Sequence, residues 1–353
     1  MKKYFLLFLA LGALTFTDCT KSSGSSGDDD GTELPGGDQQ ENPGGDQPEN
    51  PGGDQPENPG GDQPENPGGD QPEKPGNQDP EIPDYQGPDD DLSDSMENLF
   101  PDAVFRAYLL ETFDTDHNGK ITKKEAAAVR MIDVTKAQYG TADSEKIASL
   151  QGLEQFPYLQ TLLCANNKLE RLDVIRCTYL KELNCSNNKL TSLTLSSNPY
   201  LTSLTCDYND LTTLNVASNT ALQKLSFMFC SVSAIDVSKN KALTDFWCSF
   251  NSLSVLDVSE NTALRTLRCN GNKLTGLDLY YNTELVSLWC QSNQIASLNV
   301  VNTNLGNSTD ETPLNCISNP LGELHLKYGW NIKNIYPYKN PSFIPPTTNI
   351  IFH

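Results

Sequence analysis

From Leu159 onward apolar residues recur in one frame, Leu-x-x-Leu-x-Cys-x-x-Asn-x-Leu-x-x-Leu-x-Val/Leu. The frame repeats every 21 residues, with units beginning at Leu159, Leu180, Leu201, Leu222, Leu243, Leu264 and Leu285. Within Leu-x-Cys, inward and outward positions alternate, which is the period of a strand. A unit this short cannot bury its apolar positions alone, so units must stack, and identical strands side by side at about 4.8 Å form a parallel sheet. The rest of each unit, as in Leu274-x-x-Leu277-x-Leu279, alternates again and is too short for a helix with two loops. The expected fold is a mainly β solenoid over 159–326, extended or 3₁₀ on the side away from the strands. After Val300 the frame slips by five residues across 307–311 and resumes at Leu314-Asn-Cys316, which predicts a bulging loop. The tail, 327–353, carries Tyr328, Trp330, Tyr336 and Pro345 and is expected to cover the last rung, whose open edge would otherwise pair with other chains.

The frame also assigns the unusual residues. Cys164, Cys185, Cys206, Cys248, Cys269, Cys290 and Cys316 take the inward strand position, and Phe227 replaces the cysteine in the fourth rung. Parallel neighbours sit near the strand spacing rather than the ~3.8 Å Cβ separation of a disulfide, so buried thiols are expected. Cys230 falls on the inward Asn position, and Cys177 replaces the second recurring Asn of Asn198, Asn219, Asn240, Asn261 and Asn282. No C-x-x-C pair suggests a metal centre. The column Asn167, Asn188, Asn209, Asn251, Asn272, Asn293 and Asn319 reads as turn residues that satisfy buried backbone groups.

Ahead of the repeats, Val104, Phe105, Tyr108, Leu109 and Phe113 form a helical stripe with Pro101 near its start. Twelve residues follow, Asp114-Thr-Asp116-His-Asn118-Gly119-Lys120-Ile121-Thr122-Lys-Lys-Glu125, that match an EF-hand loop at every defining position. Ca2+ takes six to eight hard oxygens on a tight curve. Asp114, Asp116 and Asn118 would offer side-chain oxygens, Lys120 its carbonyl and Glu125 both carboxylate oxygens, with Gly119 making the turn. The alternative, a capping box at Thr122 and Glu125, is compatible with the loop. An exit helix is expected from Lys123 to Met131, giving a helical cap over 92–135 and a degenerate opening repeat over 136–158. Only one such loop is present, so a stabilising role is expected, at the roughly 10⁻⁴–10⁻³ M affinities of extracellular modules.

Composition divides the 353 residues further. The formal charge of −21 splits into +1 for residues 1–19, −18 for 20–91 and −4 for 92–353. The acidity belongs to the second segment, where Asp-Gln-Pro-Glu-Asn-Pro-Gly-Gly recurs with Asp38, Asp46, Asp54, Asp62 and Asp70 in register. Such a segment has no hydrophobic face and reads as a disordered, expanded spacer. The nearly neutral remainder has no basic patch, which argues against nucleic acid as a partner. Lys2, Lys3 and the apolar run from Tyr4 to Phe16 follow the order of an export signal, 1–18, too short to span a bilayer comfortably. Cys19 follows directly, although Asp18 stands before it. Two readings remain, an ordinary secretory signal and a lipid anchor on Cys19, and the 19–91 spacer favours the anchor.

These features carry a resemblance. The repeat resembles the leucine-rich repeats of bacterial surface proteins, particularly internalins with a cysteine in the strand. The segment beginning Phe100-Pro-Asp-Ala-Val-Phe resembles the opening module of Bacteroidota repeat lipoproteins, and Cys19 with Asp28-Asp29-Asp30 resembles their anchor and acidic export signal. The resemblance implies an outer-membrane lipoprotein, surface-exposed, that binds or adheres without catalysis.

The outward strand positions then become the candidate binding face. One column includes Trp247, Arg268 and Trp289; another, two residues past the cysteine, gives Tyr208, Phe229 and Phe250, with Met228 beside it. Trp, Tyr and Arg are common anchors of interfaces. Contact with a partner is one reading, and stacking on one another or cover by the tail or the 307–311 loop is the other. The partner is a protein or a glycan, and the chain is expected to act as a monomer. The three histidines, His117, His325 and His353, pair with no evident nucleophile, so no enzyme is expected.

Overall fold

Leu162, Leu183, Leu204, Leu225, Phe246, Leu267 and Leu288 stand in register on successive strands, all inaccessible to solvent or nearly so. We describe residues 81–308, 313–329 and 348–353 of a computed structural model. The export-signal segment, Cys19 and the repeating spacer lie outside the described residues, as do Trp330, Tyr336 and Pro345.

The strands are β1 (Met131–Asp133), β2 (Thr161–Leu163), β3 (Glu182–Asn184), β4 (Ser203–Thr205), β5 (Lys224–Ser226), β6 (Asp245–Trp247), β7 (Thr266–Arg268), β8 (Ser287–Trp289), β9 (Ser297–Asn299), β10 (Leu314–Asn315), β11 (Glu323–Leu326) and β12 (Asn349–Phe352). β1 to β8 and then β10 form a nine-stranded parallel sheet. This is the mainly β solenoid the frame predicted. From β2 to β8 each residue pairs with the one 21 positions on, whereas Leu288 pairs with Leu314, which is the five-residue slip.

The cysteines from Cys164 to Cys290 at the strand position are thiols without solvent access. In rung four Phe227 fills that position and packs on Phe246, ring centroids 6.0 Å apart. The turn asparagines do what their buried position demands. Asn209 donates through Nδ2 to the carbonyls of Cys185 and Cys206, both at 3.0 Å, and accepts the N–H of Leu190 at 2.9 Å. Cys230 imitates it in rung four, its Sγ 3.5 Å from the Cys206 carbonyl. Asn219, Asn240, Asn261 and Asn282 form a second ladder, each donating to two carbonyls of earlier rungs.

Two features depart from the sequence reading. The exit helix is shorter than expected: α1 (Met96–Leu99) and α2 (Ala103–Phe113) precede it, and α3 spans only Lys123–Ala128. Met131–Asp133 leaves the helix to become β1, with Ile132 in register with Leu162 and fully buried. Another half-turn of helix would leave the first rung's apolar edge uncovered, and burying Ile132 there contributes about 1.5–3 kcal/mol. Second, the side away from the strands is extended as expected, but part of it pairs into a sheet of its own. β12, β11 and β9 form a three-stranded parallel sheet in that order, with Leu298, Leu324 and Ile350 in register. The described end of the tail therefore adds a strand to β11, while Tyr328 is 83% exposed.

Candidate functional site

Two residues beyond each strand cysteine the chain turns with positive φ. The column runs Asn166, Asn187, Tyr208, Phe229, Phe250, Gly271, Ser292 and Ser318, with φ between 52° and 67°. Asn and Gly adopt this conformation readily, whereas a bulky residue costs roughly 1–2 kcal/mol there. Stacking offsets that strain. Tyr208 lies 4.5 Å from Phe229 with 9° between planes, and Phe229 lies 4.3 Å from Phe250 with 15°. Such pairs contribute roughly 0.5–1.5 kcal/mol each. Gly271 ends the ladder, because a Cβ there would stand 2.6 Å from the Phe250 ring. Both faces of Phe229 are thus covered by neighbouring rings, while Phe250 stays 39% exposed.

The strand register sets Ser226, Trp247, Arg268 and Trp289 side by side on β5 to β8. The Arg268 guanidinium carbon lies 4.8 Å from the Trp247 ring centre and 4.7 Å from that of Trp289, an arginine held between two indoles. On the other side of Trp247 the column drops to Ser226 and Thr205. That step leaves a shallow depression of about 210 Å³, lined also by Lys224 and Asp245. Met228 is half-buried, and its N–H donates to Asp207 Oδ1 at 2.6 Å, an oxygen that also accepts the Ser226 hydroxyl at 2.5 Å. Burial pushes the Asp207 carboxyl up to about 6, against the pull of those two bonds.

A third aromatic column escaped the sequence reading. Tyr158 meets Tyr179 edge to face at 5.6 Å, Tyr179 stacks on Tyr200 at 6.4 Å, and Arg130 lies over the Tyr158 ring at 5.4 Å. Its signal was present, a tyrosine immediately before Leu159, Leu180 and Leu201 at the same 21-residue spacing.

At the other end of the described chain, side-chain oxygens of Asp114, Asp116 and Glu125 converge to within 4.8 Å of one another. Gly119 has φ +81° and nothing near a notional Cβ, so the turn itself calls for glycine. Asp114 accepts the N–H groups of Gly119 at 2.8 Å and Asn118 at 3.1 Å. Asn118 Oδ1 accepts the Lys120 N–H at 2.9 Å, and Ile121 is buried. Glu125 is oriented by four bonds: Oε1 accepts the Thr115 N–H and hydroxyl at 2.7 and 2.6 Å, and Oε2 the Thr122 N–H and hydroxyl at 2.9 and 3.1 Å. Burial works against both carboxylates, but these hydrogen bonds outweigh it and hold Asp114 and Glu125 below the usual carboxylate range. Thr122 also caps α3 reciprocally with Glu125, so capping box and loop coexist. Convergent, ionised hard oxygens suit a hard divalent cation.

Elsewhere, burial raises the thiols, Cys164 to about 12 and Cys230 to about 11, which makes them poor nucleophiles and metal ligands. His325 Nδ1 meets His353 Nε2 at 2.8 Å, and its other nitrogen faces Glu323 at 3.4 Å rather than a serine or cysteine. Among the described residues no helix is long and apolar enough to cross a membrane.

No protein-family model matches the chain, and no curated protein does. Among solved structures it is similar to the functional domain of InlJ from Listeria monocytogenes, which includes a cysteine ladder, at 27% identity and a TM-score of 0.51. That match covers 69% of this chain, which spans 58% of the InlJ domain. Internalin C2 from Listeria monocytogenes strain 4b F2365 is similar at 18% identity and a TM-score of 0.51, over 65% of this chain and 96% of that one. The chain is a leucine-rich-repeat solenoid whose structural neighbours are internalin-type repeat proteins.

Proposed function

We propose that the chain is a cell-surface binding or adhesion protein whose strand face engages a protein partner, stiffened at its N-terminal end by one structural Ca2+ site. The observation that carries this reading is the pre-stacked state of the aromatic residues. Tyr208, Phe229 and Phe250 lie on one another, and Trp247 and Trp289 enclose Arg268, so the side chains are already ordered. Ordering them on binding would otherwise cost about 0.5–1.5 kcal/mol per side chain. Partly exposed, pre-ordered aromatic side chains flanked by polar strand residues suit a protein surface.

Glycan capture is a second reading, supported by the depression beside Trp247, where Ser226, Thr205, Lys224 and Asp245 surround one indole face. The Tyr208–Phe250 column fits it less well, since a sugar ring needs a free aromatic face and both faces of Phe229 are covered. In this proposal Asp114, Asp116, Asn118, the Lys120 carbonyl and Glu125 hold Ca2+, which would cross-link the loop without switching it. Cys19 carries the lipid anchor, the acidic spacer lifts the solenoid from an outer membrane of Bacteroidota type, and the protein acts as a monomer without catalysis.

A glycan array run beside a pull-down from surface proteins, with the full chain and the Trp247→Ala/Trp289→Ala variant, tests the face. Protein capture lost in the variant supports the first reading. Glycan binding lost in the variant supports the second, and binding unchanged by the variant removes the face altogether.

A further inference from the structure

The loop from Asp114 to Glu125 is crowded with its own counter-charges. Asp114, Asp116 and Glu125 bring three negative charges, and Lys120, Lys123 and Lys124 bring three positive ones within the same twelve residues. On its own side chains the loop is neutral, a poor trap for a dication. The structure brings a second element to it. Residues 89–92 run antiparallel to the end of the loop, with Asp91 bridged to Thr122. The Lys123 N–H donates to the Asp90 carbonyl at 2.8 Å, and the Leu92 N–H to the Ile121 carbonyl at 3.4 Å. Each of the three lysines meets one carboxylate of this segment: Lys120 meets Asp91, Lys123 meets Asp90 at 3.6 Å, and Lys124 meets Asp89 at 3.9 Å. Asp89 also lines the depression that holds Thr115, Asp116 and Glu125, and Leu92 packs against the core.

We propose that Asp89–Asp91 is the counter-charge strand of the Ca2+ site. It fills the bridging position beside the unpaired loop, cancels the repulsion of Lys120, Lys123 and Lys124 toward the ion, and thereby raises Ca2+ affinity. By linkage, bound Ca2+ holds this segment, the junction between spacer and cap, against the loop by the same factor. The inference rests on the calcium reading above. The exposed ion pairs contribute little to stability, so the effect belongs to ion affinity rather than to folding. A unit charge roughly 10 Å from a dication in water changes its affinity by about fourfold without salt, and by less than twofold at 0.15 M. Three such charges give about tenfold or more at low ionic strength and a few-fold at 0.15 M.

Calorimetric titration of the full chain with CaCl2, at low salt and at 0.15 M, tests this. Asp89→Asn/Asp90→Asn/Asp91→Asn should bind about tenfold more weakly at low salt, with the gap closing as salt rises. Lys120→Gln/Lys123→Gln/Lys124→Gln should bind more tightly. Limited proteolysis of the wild type should show Ca2+ protecting the chain around 85–95. Equal affinities in all three proteins, with the wild type binding, overturn the proposal and leave the calcium site standing. No binding heat and no melting shift in the wild type removes the calcium reading itself, and the proposal with it.

Discussion

At the residue scale, several side chains sit where their chemistry is at odds with their surroundings, and a neighbour explains each. Asp207 is 8% exposed, and its ionised form is accommodated through Ser226 and Met228. Its folded pKa of about 6 lies above the ordinary value of 3.8, so its contribution to stability is fully present below about pH 4 and lost as pH rises through 6. Asp207→Asn keeps an acceptor and removes the charge. It should stabilise the protein at pH 7.5 by about 1–3 kcal/mol and change nothing at pH 4, which denaturant melts at the two pH values will read. Gly271 is bound twice, by φ +67° and by the Phe250 ring. Gly271→Ala should cost about 1–3 kcal/mol, and Phe250→Ala should relieve the part due to the ring; a double-mutant cycle separates the two.

At the element scale, the turn ladder is what lets short strands stack. A three-residue strand supplies few hydrogen bonds of its own, and the buried carbonyls and N–H groups at its ends need partners. Asn209 satisfies Cys185, Cys206 and Leu190 together. Asn209→Ala should therefore destabilise by about 1–3 kcal/mol, more than a lost surface asparagine, because it orphans the buried Leu190 N–H and leaves the Cys185 and Cys206 carbonyls with only Asn188 and the Cys230 thiol as donors. Asn209→Asp keeps the acceptor but not the donors and should cost nearly as much. The cap is joined to the first rungs in a similar way. Asp102 caps α2 through Val104 and Phe105, and its second oxygen accepts the N–H groups of Ala148 and Ser149. Asp102→Asn should loosen cap and solenoid together, seen as faster hydrogen exchange in both.

At the scale of the whole molecule, the strand face and the acidic loop from Asp114 to Glu125 are separate chemistries on one scaffold. The aromatic columns occupy successive rungs: Tyr158 to Tyr200, then Tyr208 to Phe250, then Trp247 to Trp289. Each column is ordered internally before any partner arrives. On the proposed calcium reading, substituting Asp114 and Glu125 should leave partner binding intact while lowering the melting temperature in millimolar Ca2+. Asp114→Asn/Glu125→Gln should abolish the Ca2+-dependent shift, by thermal melts with and without Ca2+.

The 21-residue frame by itself determined the solenoid, its inward cysteines, its asparagine turns and the columns that carry Trp247, Arg268 and Trp289, because a strict period maps sequence position onto one place in every rung. The convergence of Asp114, Asp116 and Glu125 was equally legible, since an arrangement built from one short segment is local. Other features came from contacts between distant segments, which no local pattern encodes. Ile132 became a strand because Leu162 waited beside it, and Asn349–Phe352 found β11 across a long connection. Residues 89–92 settled against a loop some thirty positions away. The pattern could place Tyr208, Phe229 and Phe250 on one column, but only the positive-φ turn decided that their rings close on one another.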